Sequence, residues 1–164
     1  MTSAQERSIV ISIRDQKLSL FERGGLVREY AVSTALNGHG EQQGSGCTPL
    51  GCHKIRLKIG ADQPSGSVFI GRRPTGEVHD QTLSLKYPER DWILSRIIWL
   101  TGAESGRNRG GPVDTLRRFI YIHGTPDHEP MGIAKSHGCI RMHNEAVIDL
   151  FDRVEVGDPV EIDQ

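Results

Sequence analysis

The sequence has no long run of one charge. Twenty Lys and Arg stand against 21 Asp and Glu, a formal net charge of -1, so no stretch is built to grip a phosphate backbone and nucleic acid is not expected as a partner. It also lacks an apolar stretch near the roughly 20 residues that span a bilayer. The longest candidate, residues 92–100, is broken by Ser95 and Arg96, and no membrane association is expected. Cysteine is scarce: Cys47, Cys52 and Cys139 are an odd set in a chain long enough to need no disulfide framework, so at least one thiol is expected to be free. Residues 1–7 carry no basic patch, extended apolar segment or small-residue cleavage site, which leads to the expectation of a cytoplasmic protein, or of a periplasmic one in trimmed form. Repeats, low-complexity tracts and linkers are missing too, and a single domain is expected over 1–164.

What is present reads as strands and turns. Hydrophobic residues make up 36% and charged residues 25%, with 19 glycines and 8 prolines, a globular composition rich in turns. At 164 residues the chain can bury roughly two-thirds of its unfolded surface. Ile9, Ile11 and Ile13 alternate with other residues, and the pattern resumes over 17–21 and 26–32 after turns at Asp15-Gln16 and Gly24-Gly25. Period-two alternation across two short turns predicts an antiparallel meander. Loop follows over 36–46, then strands over 53–59 and 67–70; residues 71–91 show little periodicity, and 92–100 fits a buried strand or a short helix. Residues 102–113 read as an exposed loop and 118–124 as a buried strand with His123 at its end. Asn144 is placed to cap a helix with an apolar stripe of Val147, Leu150, Phe151 and Val154, and 160–162 forms a final strand. The fold class is therefore mostly β with one or two short helices.

One segment carries chemistry: Ser136-His137-Gly138-Cys139-Ile140-Arg141. A thiol attacks carbonyls as its thiolate, and with an ordinary pKa of about 8.5 it needs a base and donors for the oxyanion. Gly138 permits unusual backbone angles and close approach of a substrate beside Cys139. Two histidines compete as base. His137 lies two residues from the thiol, while His123, at a strand end, has Gly124 C=O at hand to orient its second ring nitrogen. Tyr121, two residues before His123, is expected on the same strand face, lining the pocket. Arg72, Arg73 and Arg107 lie in loops able to flank the cleft, with nothing tying them to it. Cys47, Cys52 and His53 lack the second half of a zinc motif. His128, His137, His143 and Cys139 together suggest a metal site, which makes a metal-dependent hydrolase the rival reading, but they lack the helix-spaced pair and carboxylate of a zinc hydrolase and no metal or other cofactor is expected.

His123-Gly124-Thr125, a ten-residue loop, and Ser136-His137-Gly138-Cys139-Ile140-Arg141-Met142 together resemble the signature of the bacterial L,D-transpeptidase catalytic domain. Thr48-Pro49-Leu50-Gly51, entering a strand, resembles a second, weaker feature of that family. The resemblance implies a β-sandwich or meander acting on peptidoglycan tetrapeptide stems, with a thioester formed at the meso-diaminopimelate–D-alanine bond. It implies Cys139 as nucleophile, His123 as base and acid, Gly124 C=O as its orienting group, and N–H groups of His137, Gly138 and Cys139 at the oxyanion. It further implies Ser136 and His137 shaping the site, Arg141 receiving a substrate carboxylate, and acylation of the thiol by carbapenems. With no export segment read in the sequence, the expected enzyme is a cytosolic L,D-carboxypeptidase of peptidoglycan recycling. A transpeptidase using an amine acceptor and a non-catalytic muropeptide-binding module are the alternatives. The sequence leaves the oligomeric state open.

Overall fold

The computed structural model describes residues 6–164; residues 1–5, on which most of the expectation about export rests, lie outside the described residues. The meander forms as expected from β1 (Arg7–Ser12), β2 (Lys17–Glu22) and β3 (Gly25–Ala31). Its register pairs Ile9 with Leu20 and Ile11 with Leu18, so the alternating residues share one buried face. Gln16, in the first turn, is buried and donates to Ile13 O at 2.8 Å and Thr34 Oγ1 at 2.6 Å, tying the meander to the segment that follows it.

The remaining strands are β4 (Gly51–Ile59), β5 (Ser67–Ile70), β6 (Arg73–Val78), β7 (Ile93–Gly102), β8 (Tyr121–Thr125), β9 (Ile140–His143) and β10 (Pro159–Asp163), with helices α1 (Gln81–Lys86) and α2 (Asn144–Arg153). One curled sheet runs β3-β2-β1-β10-β4-β7-β5-β6, and β8 and β9 branch from β7. β10 lies parallel to β1. The fold is mostly β with two helices, as the sequence predicts.

The ambiguous run 92–100 is strand. β7 pairs with β4, β5 and β8 and buries both faces, so its apolar residues run on instead of alternating. Ile98 and Leu100 join Ile122, Ile140, Met142 and the α2 residues Val147, Leu150 and Phe151 in the main core. Burial of each such side chain contributes roughly 1.5–3 kcal/mol. Ile97 and Trp99 face the other way and pack with Phe69, Tyr121 and Cys139.

Four expectations change in detail. Residues 71–91 contain β6 and α1, which bury no side chain fully and so leave no hydrophobic period. β8 begins at Tyr121 rather than 118, because Phe119 turns the chain with φ 58. Asn144 is the first helical residue, not the cap. Its amide is drawn inward to Thr125 O at 3.2 Å and to Ser95 Oγ, while Asp127 Oδ1 accepts its N–H at 3.1 Å. The 102–113 loop is pinned by buried Asn108, which donates to Leu50 O at 3.1 Å and Cys52 O at 3.0 Å.

Candidate active site

β8 and β9 are parallel neighbours with His123 beside Arg141 and Gly124 beside Met142. Residues two apart share a strand face and paired residues project together. Tyr121, His123 and Arg141 therefore face one way and Ile122, Ile140 and Met142 face the core. Cys139, immediately before β9, packs with Tyr121 on the first face. The Tyr121 N–H donates to Sγ at 3.3 Å, and the thiol donates to Phe119 O at 3.3 Å. His123 is one step further along the same face, roughly 7 Å from Tyr121 by strand rise.

The turn ahead of Cys139 carries a glycine at 138 for a geometric reason. Gly138 has φ 133, and a Cβ there would meet Cys47 O and Ile120 Cδ1, each at 3.3 Å. Its carbonyl accepts from Thr48 Oγ1 at 2.9 Å, and its N–H donates to Ser136 Oγ at 3.2 Å. Ser136 Oγ in turn donates to Cys139 O. Ser136 is buried and its backbone is tied to Thr34 and Leu36, so it holds the turn from within. With the Gly138 N–H spent on Ser136, the N–H groups of His137 and Cys139 are those not taken by a backbone carbonyl among the described residues.

His123 is 1% exposed, and its Nδ1 lies 2.7 Å from Gly124 O. A carbonyl accepts only, so Nδ1 carries the proton and Nε2 presents a lone pair. Gly124 is required here: a Cβ would fall 2.5 Å from Leu94 O and 3.0 Å from Asn144 Oδ1, prising β8 from β7. Burial holds the imidazole below its ordinary pKa, against the Gly124 hydrogen bond that raises it. Burial also pushes the half-buried Cys139 thiol up to about 12, outweighing the Tyr121 N–H. Burial thus favours the uncharged form of both groups, a thiol and an imidazole on the same strand face.

The other expected residues fall around this pair. Arg141 Nη2 is held by Asp91 Oδ1 at 2.9 Å, and the exposed His137 has Nδ1 3.6 Å from Asp91 Oδ2. Tyr121 is buried, with its hydroxyl 3.2 Å from Arg72 Nη1. A cleft of about 430 Å³ opens beside the thiol's neighbours, lined by Phe119, Ile120, Arg118, Gly46 and His137. A bigger one, about 650 Å³, lies by His79, Arg90, Trp92 and His128 and is lined by neither Cys139 nor His123.

The metal-site candidates do not converge. His128 is 3.6 Å from Glu129 and His143 Nε2 is 2.9 Å from Glu129 O, and no three candidate ligands cluster among the described residues. Cys47, Cys52 and Cys139 are all free. Buried His53 lies 3.0 Å from both Gly51 O and Thr115 Oγ1, and burial takes its pKa down to about 4.

Sequence reading missed Asp91, Arg118 and the Phe119 carbonyl, found nothing to tie Arg72 to the cleft, and did not assign Thr48 a contact. Arg118 donates to Cys47 O at 2.7 Å and Gly40 O at 3.2 Å, bracing the loop behind Gly138. The signal for Thr48 was its motif; for Asp91 and the two arginines, placed by long-range packing, the sequence held none.

The L,D-transpeptidase catalytic domain family YkuD matches residues 6–162. The chain belongs to that family. Relatives provisionally named L,D-transpeptidases include YqjB of Bacillus subtilis (strain 168), 50% identical over 40 residues covering 24% of this chain and 23% of that protein. YkuD of the same organism is 41% identical over 63 residues, 35% of this chain and 38% of that protein. The chain thus matches well under half the length of these curated relatives. Among solved structures, L,D-transpeptidase 3 from Mycobacterium tuberculosis superposes with TM-score 0.58 at 18% identity, covering 97% of this chain and 61% of that one. The L,D-transpeptidase from Mycobacterium smegmatis gives 0.55 at 18%, covering 96% and 58%. At these identities the likeness is one of fold, and it extends over nearly the whole chain.

Proposed function

We propose that the protein is a cysteine acyltransferase of peptidoglycan stem peptides, cleaving the meso-diaminopimelate–D-alanine bond of a tetrapeptide through a Cys139 thioester. The observation that carries this is the His123 ring: its Nδ1 is fixed by Gly124 O, leaving Nε2 free as a base on the strand face that holds the sulfur. As Sγ bonds to the carbonyl carbon, its proton passes to Nε2 and the carbonyl oxygen becomes an oxyanion within reach of backbone N–H groups of the 137–139 turn. Collapse breaks the C–N bond, and the His123 proton leaves with D-alanine as its amine. In the second half His123 takes a proton from the acceptor as it bonds to the thioester carbon, the C–S bond breaks, and the proton returns to the sulfur to restore the thiol.

Two acceptors are open to this site. In the reading the sequence led to, water attacks, and the protein is a cytosolic L,D-carboxypeptidase that trims recycled muropeptides to tripeptides. The transpeptidase names of its relatives favour an amine, giving a cross-link or an exchanged D-amino acid. Incubation with a defined soluble tetrapeptide, with and without an amine acceptor, separates them by product mass. Tripeptide in both samples assigns the carboxypeptidase, an exchanged product assigns the transpeptidase, and no released D-alanine sinks the proposal.

A further inference from the structure

Three arginines lie on or against the segments that carry the thiol, and the structure gives them different fates. Arg141 is closed off: its side chain is 11% exposed and is paired with Asp91. Arg118 spends its donors on loop carbonyls. Arg72 does neither. It lies at the tip of the β5–β6 hairpin, where Gly71 and Arg72 both take positive φ, 57 and 66, and where β5 is anchored to β7 through Val68 and Phe69.

From that tip the guanidinium lies over two rings, 5.0 Å from the Trp99 centroid and 4.8 Å from that of Phe119, and Nη1 donates to Tyr121 Oη at 3.2 Å. The platform is fixed in turn, since Trp99 Nε1 donates to Leu116 O at 3.0 Å and Trp99 meets Tyr121 edge-on at 5.6 Å. The same Phe119 and Tyr121 supply the backbone groups that touch Cys139 Sγ. Arg72 is therefore seated on the side chains of the two residues whose backbones touch the nucleophile. A guanidinium has five N–H donors, and among the described residues only the Tyr121 hydroxyl receives one and no carboxylate pairs with it. Aromatic faces orient a cation without neutralising it.

We propose that Arg72, rather than Arg141, is the receptor for a carboxylate of the acyl donor, pairing by its fork of donors and setting the peptide against Cys139. This rests on the acyl-transfer reading above. A tetrapeptide stem offers two such groups near the scissile bond, the terminal D-alanine carboxylate and the free carboxylate at the D-centre of diaminopimelate, and both present the same chemistry to a guanidinium.

Calorimetric binding of a soluble tetrapeptide to Cys139→Ala, Arg72→Gln/Cys139→Ala and Arg72→Lys/Cys139→Ala tests this without turnover. Loss of Arg72 is expected to weaken binding roughly 10- to 100-fold, the range for a charge-assisted hydrogen-bonded pair, with lysine retaining part of it. Amidating the recognised carboxylate should weaken binding to Cys139→Ala by the same factor, and Arg72→Gln should then add nothing. Comparing the terminal amide with the side-chain amide identifies which carboxylate is read, and the amide arm needs no Arg72 variant to fold. The proposal is overturned by binding unchanged within about twofold, by an equal Arg72→Gln loss on free and amidated peptides, or by no binding to Cys139→Ala. D-Alanine release by the unmodified protein is measured alongside. Its absence would remove the acyl-transfer reading, whereas carboxylate-dependent binding through Arg72 stands or falls by itself.

Discussion

Thr48 Oγ1 donates to Gly138 O at 2.9 Å, joining residues 90 apart in sequence, and accepts from Ala35 N–H at 3.0 Å. Both contacts are buried, with Thr48 0% exposed. Thr48→Val keeps the shape and removes both bonds, leaving a buried carbonyl and a buried N–H unpaired. The expected loss is about 1–3 kcal/mol of stability for each group, with lower kcat/KM as the turn bearing Cys139 loosens. Thr48→Ser should restore most of both. Denaturant unfolding beside turnover checks it, and a Thr48→Val protein matching wild type in both would show that the turn holds itself.

Gly124→Ala should act on the strand pair rather than on the turn. The new Cβ meets backbone, Leu94 O at 2.5 Å, so β7 and β8 must part and the His123 ring loses its fixed carbonyl. Overpacking of this kind costs about 1–3 kcal/mol or more. Folded Gly124→Ala is expected to keep an alkylatable thiol and lose turnover, measured by thiol labelling beside D-alanine release.

The strands were legible where one face is buried. Ile9, Ile11, Leu18 and Leu20 alternate because the meander covers one side of itself, and the α2 stripe shows because Val147, Leu150 and Phe151 pack one way. β6 and α1 were not, since edge elements with little burial carry no period. β7 was half-legible for the opposite reason, being buried on both faces. At the site, Cys139, His123 and Gly124 belong to short motifs, whereas Asp91, Arg72 and Phe119 arrive through tertiary packing that no local spacing encodes.

The acid limb of kcat/KM should lie low. His123 must be neutral to accept the thiol proton, and burial holds its pKa below the ordinary value near 6.5. Activity should therefore persist as pH falls through 6.5 and fail below it. The thiol, pushed up to about 12, contributes no ionisation step near neutrality. Iodoacetamide labelling of Cys139 should accelerate with pH through the alkaline range. A fast plateau at pH 5 to 6 that His123→Ala abolishes would instead show a preformed thiolate–imidazolium pair.

Acid should destabilise the fold through His53. Its pKa falls from 6.5 to about 4 on folding because burial disfavours the charged ring. Above pH 6.5 both states are neutral and nothing changes; as pH falls from 6.5 to 4 the unfolded chain binds a proton that the folded one refuses, and stability is lost. The shift corresponds to about 3 kcal/mol across that window. His53→Gln should flatten that limb in urea melts at pH 7 and pH 4.5, and an unchanged pH dependence would remove His53 as its source.

The central claim is a covalent one, and intact-protein mass after rapid acid quench with tetrapeptide reads it directly. The expected result is a population heavier by the tripeptidyl acyl group, mapped by digestion to Cys139, matched by released D-alanine and absent from Cys139→Ala. Turnover with no adduct at Cys139, or turnover retained in Cys139→Ala, would contradict it.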